Sequence, residues 1–366
     1  MNFYWNAFSL YNIFIDFLIL IGCIFSFYYF FKKENLEIFS PDFISKKYIF
    51  TFLKSFLILF LTGSIIGILL RISSFLRAHI LWTSATVYLP LFLLIHLVKN
   101  KKYFLLPIII SVIAFKYYAE QIEPNDLEVE RITIRTNKIK KKIKITHISD
   151  LQTDNIRKLH YKVRTISNEF DPHLILFTGD VLNHISIQEE VEKYFSGFKK
   201  IDSSYFVSGN VDNILNLEIF TERSGFIFLD DKSKLLKIED NLIGLIGISL
   251  WEYRNEELID KLSNEVDKAE FKILMSHYPD TILSTNNSKP DLILAGHTHG
   301  GQVCLPFIGP IITLSNVPRN IAAGGLHFYN GIKIIVSRGL GMEGHVAPRI
   351  RILDKPHLVL LELVPE

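Results

Sequence analysis

Two histidines stand on one glycine-bounded turn in Gly296-His297-Thr298-His299-Gly300-Gly301-Gln302, directly after a short apolar run. Such a turn contributes little packing, so its imidazoles are better explained as metal ligands than as structure. Four other apolar runs end in side chains of similar character: Ser149-Asp150-Leu151-Gln152, Gly179-Asp180-Val181-Leu182-Asn183, Gly209-Asn210-Val211-Asp212 and Ser276-His277-Tyr278-Pro279. Imidazole nitrogens mixed with carboxylates suit Zn, Mn or Fe, whereas an all-oxygen set would suit Mg or Ca. A carboxylate can bridge two such ions, which together activate a water and clamp the oxygens of a phosphate ester during in-line displacement. Taken singly, Gly-Asp and Gly-Asn are ordinary turn dipeptides, and a lone His277 reads as a core or surface histidine. Taken in order, the five segments point to phosphate-ester hydrolysis.

These side chains need a scaffold that gathers five strand ends. From residue 127 onward, short apolar runs alternate with polar, helix-compatible segments. The pattern predicts strands at 143–148, 174–178, 205–208, 235–239, 242–248, 272–276, 292–295, 332–336 and 358–363, and helices over 156–169 and 188–200. This describes a single layered α/β domain, in which ligands bind in the crevice beyond the carboxyl ends of the strands.

The first third of the chain is different. Of the 366 residues 49% are hydrophobic, and the mean hydropathy of +0.24 excludes intrinsic disorder and points away from a purely soluble protein. Residues 1–119 carry 11 bases and 4 acids, whereas 120–366 carry 29 bases and 34 acids, so no polyanion-binding surface and no nucleic-acid partner are expected of the larger part. Apolar stretches at about 10–31, 49–70, 80–98 and 103–118 approach the ~20 residues that cross a bilayer as a helix. A cleavable signal peptide fits poorly, because residues 1–9 hold no positive charge. Within the spans, Asp16 and Lys54 lie near span ends and are expected at the interface. Lys32, Lys33, Lys46 and Lys47 follow the first span, and Lys99, Lys101 and Lys102 follow the third, which makes that side cytoplasmic and the C-terminal domain extracytoplasmic. The resulting division is a transmembrane region (1–119), a linker (120–142) and a catalytic domain (143–366). Cys23 and Cys304 provide no disulfide framework.

Asp150-Leu151-Gln152, Gly179-Asp180, Gly209-Asn210, His277 and the Gly296 to Gln302 segment resemble, in order, the motifs of the calcineurin-like metallophosphoesterase superfamily. Ser337-Arg338-Gly339-Leu340-Gly341 and Pro348-Arg349-Ile350-Arg351 are similar to the C-terminal signature of its membrane-anchored bacterial branch. The resemblance implies an α/β (α+β) sandwich of packed β-sheets flanked by helices, here preceded by an all-α transmembrane region of about four helices. It implies two divalent metals: Asp150, Asp180 and His299 would hold the first, Asn210, His277 and His297 the second, with Asp180 bridging. Attack on phosphorus by a metal-bound hydroxide follows, with Asp180, Asn210 and His297 as the catalytic set.

The chain departs from the family pattern at two main positions. Gln152 replaces a histidine, so either its amide ligates the first metal, or that metal is loosely held or absent; Asp154 is a candidate to supply a carboxylate instead, although it also reads as a solvated loop or cap residue. Val211 replaces the histidine taken to protonate the leaving group, a loss of roughly 100- to 10,000-fold for poor leaving groups. His147 and His184 are candidates to substitute, although both also read as ordinary strand or loop histidines. The leading expectation is a multi-pass membrane enzyme cleaving a small-molecule or lipid phosphodiester or pyrophosphate beside the bilayer. The alternatives are a non-catalytic binding protein of the same fold and a cytoplasm-facing pyrophosphatase of the UDP-diacylglucosamine type. The oligomeric state is left open.

Overall fold

The computed structural model describes residues 7–33, 46–71, 73–344 and 346–366; the first six residues and most of the lysine-bearing loop after the first span lie outside them. The chain forms two compact units, Met1–Ile122 with Glu343–Arg349, and Glu123–Met342 with Ile350–Glu366.

The first unit is helical: α1 (Ala7–Lys33), α2 (Lys46–Leu69), α3 (Ser73–Thr83), α4 (Leu89–Asn100) and α5 (Leu106–Tyr117). A π-helical turn, Ser84–Tyr88, joins α3 to α4 just before Pro90. A proline ring clashes with the carbonyl of the preceding turn, and the wider turn accommodates it without ending the helix. Four stretches are then long and apolar enough to cross a membrane: Tyr11–Lys33, Ile49–Leu69, Phe75–Lys99 and Tyr103–Asn125. Asp16 was expected at an interface but is buried inside the bundle. It accepts a hydrogen bond from Thr83 and pairs with Lys116 at 2.6 Å, and Lys116 also contacts Glu120. Such pairing is what an ionised group removed from water requires. Within this unit Glu343–Arg349 is held by Asn12, whose side chain accepts from the Arg349 amide (2.8 Å) and donates to its carbonyl (3.0 Å).

The second unit is a sandwich of two six-stranded sheets. Its strands are β1 (Glu128–Thr136), β2 (Ile143–Ile148), β3 (Leu174–Phe177), β4 (Ser204–Phe206), β5 (Ile227–Phe228), β6 (Lys232–Ile238), β7 (Asn241–Ile248), β8 (Phe271–Ser276), β9 (Leu292–Ala295), β10 (Cys304–Leu305), β11 (Gly309–Pro310), β12 (Gly325–Tyr329), β13 (Ile332–Val336) and β14 (His357–Pro365). The sheets run β1-β14-β2-β3-β4-β5 and β12-β13-β9-β8-β7-β6, and β10 pairs with β11 as a separate hairpin. Alternation along each strand explains the layers. Leu174 and Leu176 of β3 join Ile273 and Met275 of β8 in the core between the sheets, while Ile175 and Phe177 point outward into a second core. That outer core is covered by α6 (Lys158–Phe170), α7 (Gln188–Phe195) and α8 (Leu217–Ser224). On the opposite face, Leu274 and Ile293 pack under α9 (Glu256–Glu265) and α10 (Arg319–Ala322). Strands covered on both faces read as continuous apolar runs, as Leu-Ile-Leu-Phe and Leu-Ile-Leu-Ala do. Glu128–Thr136, inside the stretch read as a linker, is an edge strand parallel to β14.

Candidate metal centre

The strands β2, β3 and β4 run parallel in one sheet, and β8 and β9 run parallel in the other, so five carboxyl ends lie at one edge of the sandwich. The turns leaving them carry Asp150, Asp180, Asn210, His277 and His297. These turns are unusual in backbone conformation. Asp150 (φ 46°), Gln152 (24°), Asp180 (61°), His297 (69°) and His299 (47°) all occupy the left-handed region. Each such residue costs on the order of 1 kcal/mol or more, and strain of this kind collects where function dictates the geometry. Two glycines permit the close approach. A Cβ on Gly296 would lie 1.8 Å from Ser149 Oγ and 2.3 Å from Asp150 Oδ2, and one on Gly209 would lie 2.2 Å from Asp180 Oδ1.

Two donor sets result. Ligand atoms of Asp150, Asp180 and His299, all buried, lie within 4.8 Å of one another. Beside them, Asn210 Oδ1 is 3.1 Å from His277 Nε2 and 3.0 Å from His297 Nδ1, and His277 Nε2 is 3.4 Å from Asp180 Oδ2. Asp180 therefore borders both sets. His277 Nδ1 lies 2.7 Å from the Thr178 carbonyl, which leaves Nε2 directed at the centre. Gln152 is fully buried with neither amide atom hydrogen-bonded, and His299 Nδ1 is likewise without a hydrogen-bond partner among the described residues. Buried polar atoms left so are costly; a cation would satisfy Gln152 Oε1, and His299 approaches Asp150 through Nε2 at 3.6 Å. The mixture of nitrogen and oxygen donors fits a divalent transition metal.

Electrostatics point the same way. Burial pushes the Asp150 carboxyl up to about 7, with Asp180 adding to the rise and His277 opposing it. Burial acts against a charged His277, but Asp180 and Asp150 overcome it and hold the imidazolium up to about 10. Burial and the His277 charge push His297 down to about 4. A ligating imidazole must be neutral, so a metal held by His277 and Asp150 would displace the His277 proton and whatever proton Asp150 holds. Metal affinity should therefore rise with pH, by about tenfold per unit between pH 7 and 9 and more steeply below 7, where Asp150 is also protonated. Calorimetry in buffers of different ionisation enthalpy should register the released proton. An affinity independent of pH over this range would contradict the assignment.

Asp212 emerges from the structure as a further site residue. Its carboxylate is buried and accepts from the backbone amides of Asp180 (2.8 Å), Val181 (2.7 Å) and Gly209 (2.7 Å), tying two ligand turns together. Its place two residues after Asn210 was visible in the sequence, but two of its three targets are amides of another loop. Val211 donates its amide to Asp180 Oδ1 at 2.9 Å and has no side-chain proton to offer. Of the proposed substitutes, His147 is buried and bonded to Thr178 Oγ1 at 2.9 Å, and His184 is exposed.

Comparison with known proteins agrees with this geometry. The model of the calcineurin-like phosphoesterase family matches residues 143–301. The metallophosphoesterase YkuE of Bacillus subtilis is 30% identical over 268 residues, covering 67% of this chain and 88% of that one. YkoQ of the same organism is 24% identical over 70% of this chain and 97% of its own. The phosphodiesterase YaeI of Escherichia coli is 32% identical over 94 residues, 25% of this chain and 32% of that one. With its sandwich fold, its converging donors and a relative matched over nearly its whole length, the chain belongs to the calcineurin-like phosphoesterase family.

Proposed function

We propose that the protein is a membrane-anchored, metal-dependent hydrolase of phosphodiester or pyrophosphate bonds, with its catalytic unit outside the cytoplasm. The observation that carries this reading is the shared position of Asp180 between two donor sets, Asp150 and His299 on one side and Asn210, His277 and His297 on the other. Two divalent metals held there, of the Mn, Zn or Fe class, would supply an activated water and neutralise charge on the phosphoryl oxygens. The chain's own residues set the geometry. Thr178 orients His277, and Asp212 fixes the turns that carry Asp180 and Asn210. The helices that could span a bilayer, and the lysines flanking them, support the anchor and its orientation.

Bond preference follows from Val211. With no proton donor at that position, the leaving group departs as an anion or takes its proton from water, which favours phosphate and aryl leaving groups over alkoxides. The name of the Escherichia coli relative is consistent with a diester substrate. Val211→His should raise hydrolysis of an alkyl phosphate ester at least tenfold while changing that of an aryl diester by less than threefold. Kinetics of the two substrates with wild type and variant test this; equal effects on both would sink the leaving-group argument.

A further inference from the structure

The segment that follows the histidine turn supplies no metal-ligand side chain of its own, yet its composition is distinctive. Residues 302–337 contain no Asp or Glu and only two bases, Arg319 and Lys333, in a region of the chain where acids otherwise outnumber bases. Eight of the fifteen exposed large apolar side chains described in the catalytic unit fall between Leu305 and Phe328. They include Phe307 and Ile308 in the turn of the β10–β11 hairpin, where Phe307 has no neighbour shielding it, and Ile311 and Ile312 just after β11. An exposed apolar patch of this density marks a binding surface.

The base of the hairpin is fixed while its end is free. Asp280 accepts from the Asn316 amide (3.0 Å) and Nδ2 (2.6 Å) and from the Ser315 hydroxyl. The Leu314 carbonyl lies 3.3 Å from His297 Nε2, so the segment after the hairpin borders the metal donors. A loop with an apolar end, in a stretch that holds no acid to oppose headgroup phosphates, matches a lipid surface. The chain itself tethers the catalytic unit to such a surface: it is joined at Ile122–Glu123, Met342–Glu343 and Arg349–Ile350 to a unit whose helices are long and apolar enough to span a bilayer.

We propose that the 302–316 hairpin inserts its apolar tip into the bilayer surface and that the phosphoester processed beside it is carried on a lipid. The substrate part rests on the phosphoesterase reading above; the docking part does not depend on activity. Full-length protein bearing Phe307→Cys in a Cys23→Ser, Cys304→Ser background would be labelled with an environment-sensitive fluorophore and placed in lipid discs. Discs of phosphatidylcholine alone and with phosphatidylglycerol would be compared. The emission should shift to the blue and be quenched by spin labels on the acyl chains, more strongly in the anionic discs. Quenching by aqueous iodide instead would overturn the docking, as would a blue shift without lipid quenching, which would mean packing against protein.

In the second arm, unlabelled Phe307→Ser/Ile308→Ser should lose about tenfold or more in kcat/KM toward a lipid phosphodiester in mixed micelles, chiefly through KM. Its activity on a water-soluble aryl diester should be unchanged. Parallel loss on both substrates, or loss on neither, would overturn the lipid assignment. A wild-type chain inactive on both would refute the phosphoesterase reading and leave the docking result to stand alone.

Discussion

Asp180→Asn should reduce metal-dependent hydrolysis of an aryl phosphodiester by about 10³-fold, the rate equivalent of ~4 kcal/mol, with bound metal falling by at least one equivalent. The substitution keeps the shape and can still accept the Val211 amide through Oδ1, where the wild-type bond is 2.9 Å. What it removes is the charge that both donor sets share. Asp180 lies 3.4 Å from His277 Nε2 and within 4.8 Å of the ligand atoms of Asp150 and His299, so the loss reaches both halves of the centre. The metal-free chain should fold normally, because a buried carboxylate is replaced by a neutral isostere. Metal analysis by mass spectrometry with parallel kinetics checks the prediction. Activity within tenfold of wild type, with metal content unchanged, would contradict it.

The second large effect is on stability. Arg351 is fully buried and laces the chain beneath the centre. Its Nη2 donates to the carbonyls of Arg338 (2.7 Å), Gly339 (3.3 Å) and Gly341 (2.7 Å), its Nε to Gly341 (3.2 Å), and its Nη1 to the backbone and side chain of Asp354 (3.2 and 3.1 Å). That same segment packs on the ligand turn: the Leu340 and Gly341 amides donate to the Asp150 carbonyl at 3.0 and 2.8 Å. Arg351→Met fills the volume but removes the guanidinium donor to the Arg338 and Gly341 carbonyls and the counter-charge to Asp354, while the Gly339 carbonyl keeps the His357 amide at 2.9 Å. A cost of about 3–5 kcal/mol is expected, which for a unit of this size lowers the unfolding midpoint by roughly 10 °C. Arg351→Lys keeps the charge but cannot reach the same acceptors with a planar fork, and should recover less than half of the loss. Thermal unfolding of both variants, followed by near-ultraviolet circular dichroism, measures the effect. A midpoint unmoved by Arg351→Met would show that the network carries no stability.

What could be read in the sequence follows from which interactions are local. The strands leading into the donor turns are buried on both faces, and each ends at a glycine or a metal-competent side chain, so five site segments stood out. The outer elements did not. In Glu-Val-Glu-Arg-Ile-Thr-Ile-Arg-Thr only Ile132, Ile134 and Thr136 are buried, and the four interspersed charges disguise β1 as a connecting segment. Its parallel partner, β14, lies more than two hundred residues away. Asp16 shows the same limit. Its partners Thr83 and Lys116 are 67 and 100 positions distant, so its position near a span end suggested solvent where the bundle supplies a counter-ion. Arg349 and Arg351 were legible as a signature, but their work is divided. Arg349 is held through its backbone by Asn12 within the helical unit, and Arg351 braces the floor beneath Asp150. Asp212 is visible in its segment but its role is not, because a carboxylate that binds backbone amides leaves no periodicity and no partner residue type to search for.

The central claim is that this chain hydrolyses phosphodiesters at a metal centre built on Asp180, and the most direct test is metal reconstitution of the full-length protein. Chelator-stripped protein would be titrated with Mn, Zn, Fe or Mg while hydrolysis of a bis-aryl phosphodiester is followed beside an aryl monoester. Diester hydrolysis should return with about two equivalents of Mn, Zn or Fe and exceed monoester hydrolysis, and His297→Ala should abolish it. A folded, metal-loaded chain that cleaves neither substrate would contradict the claim.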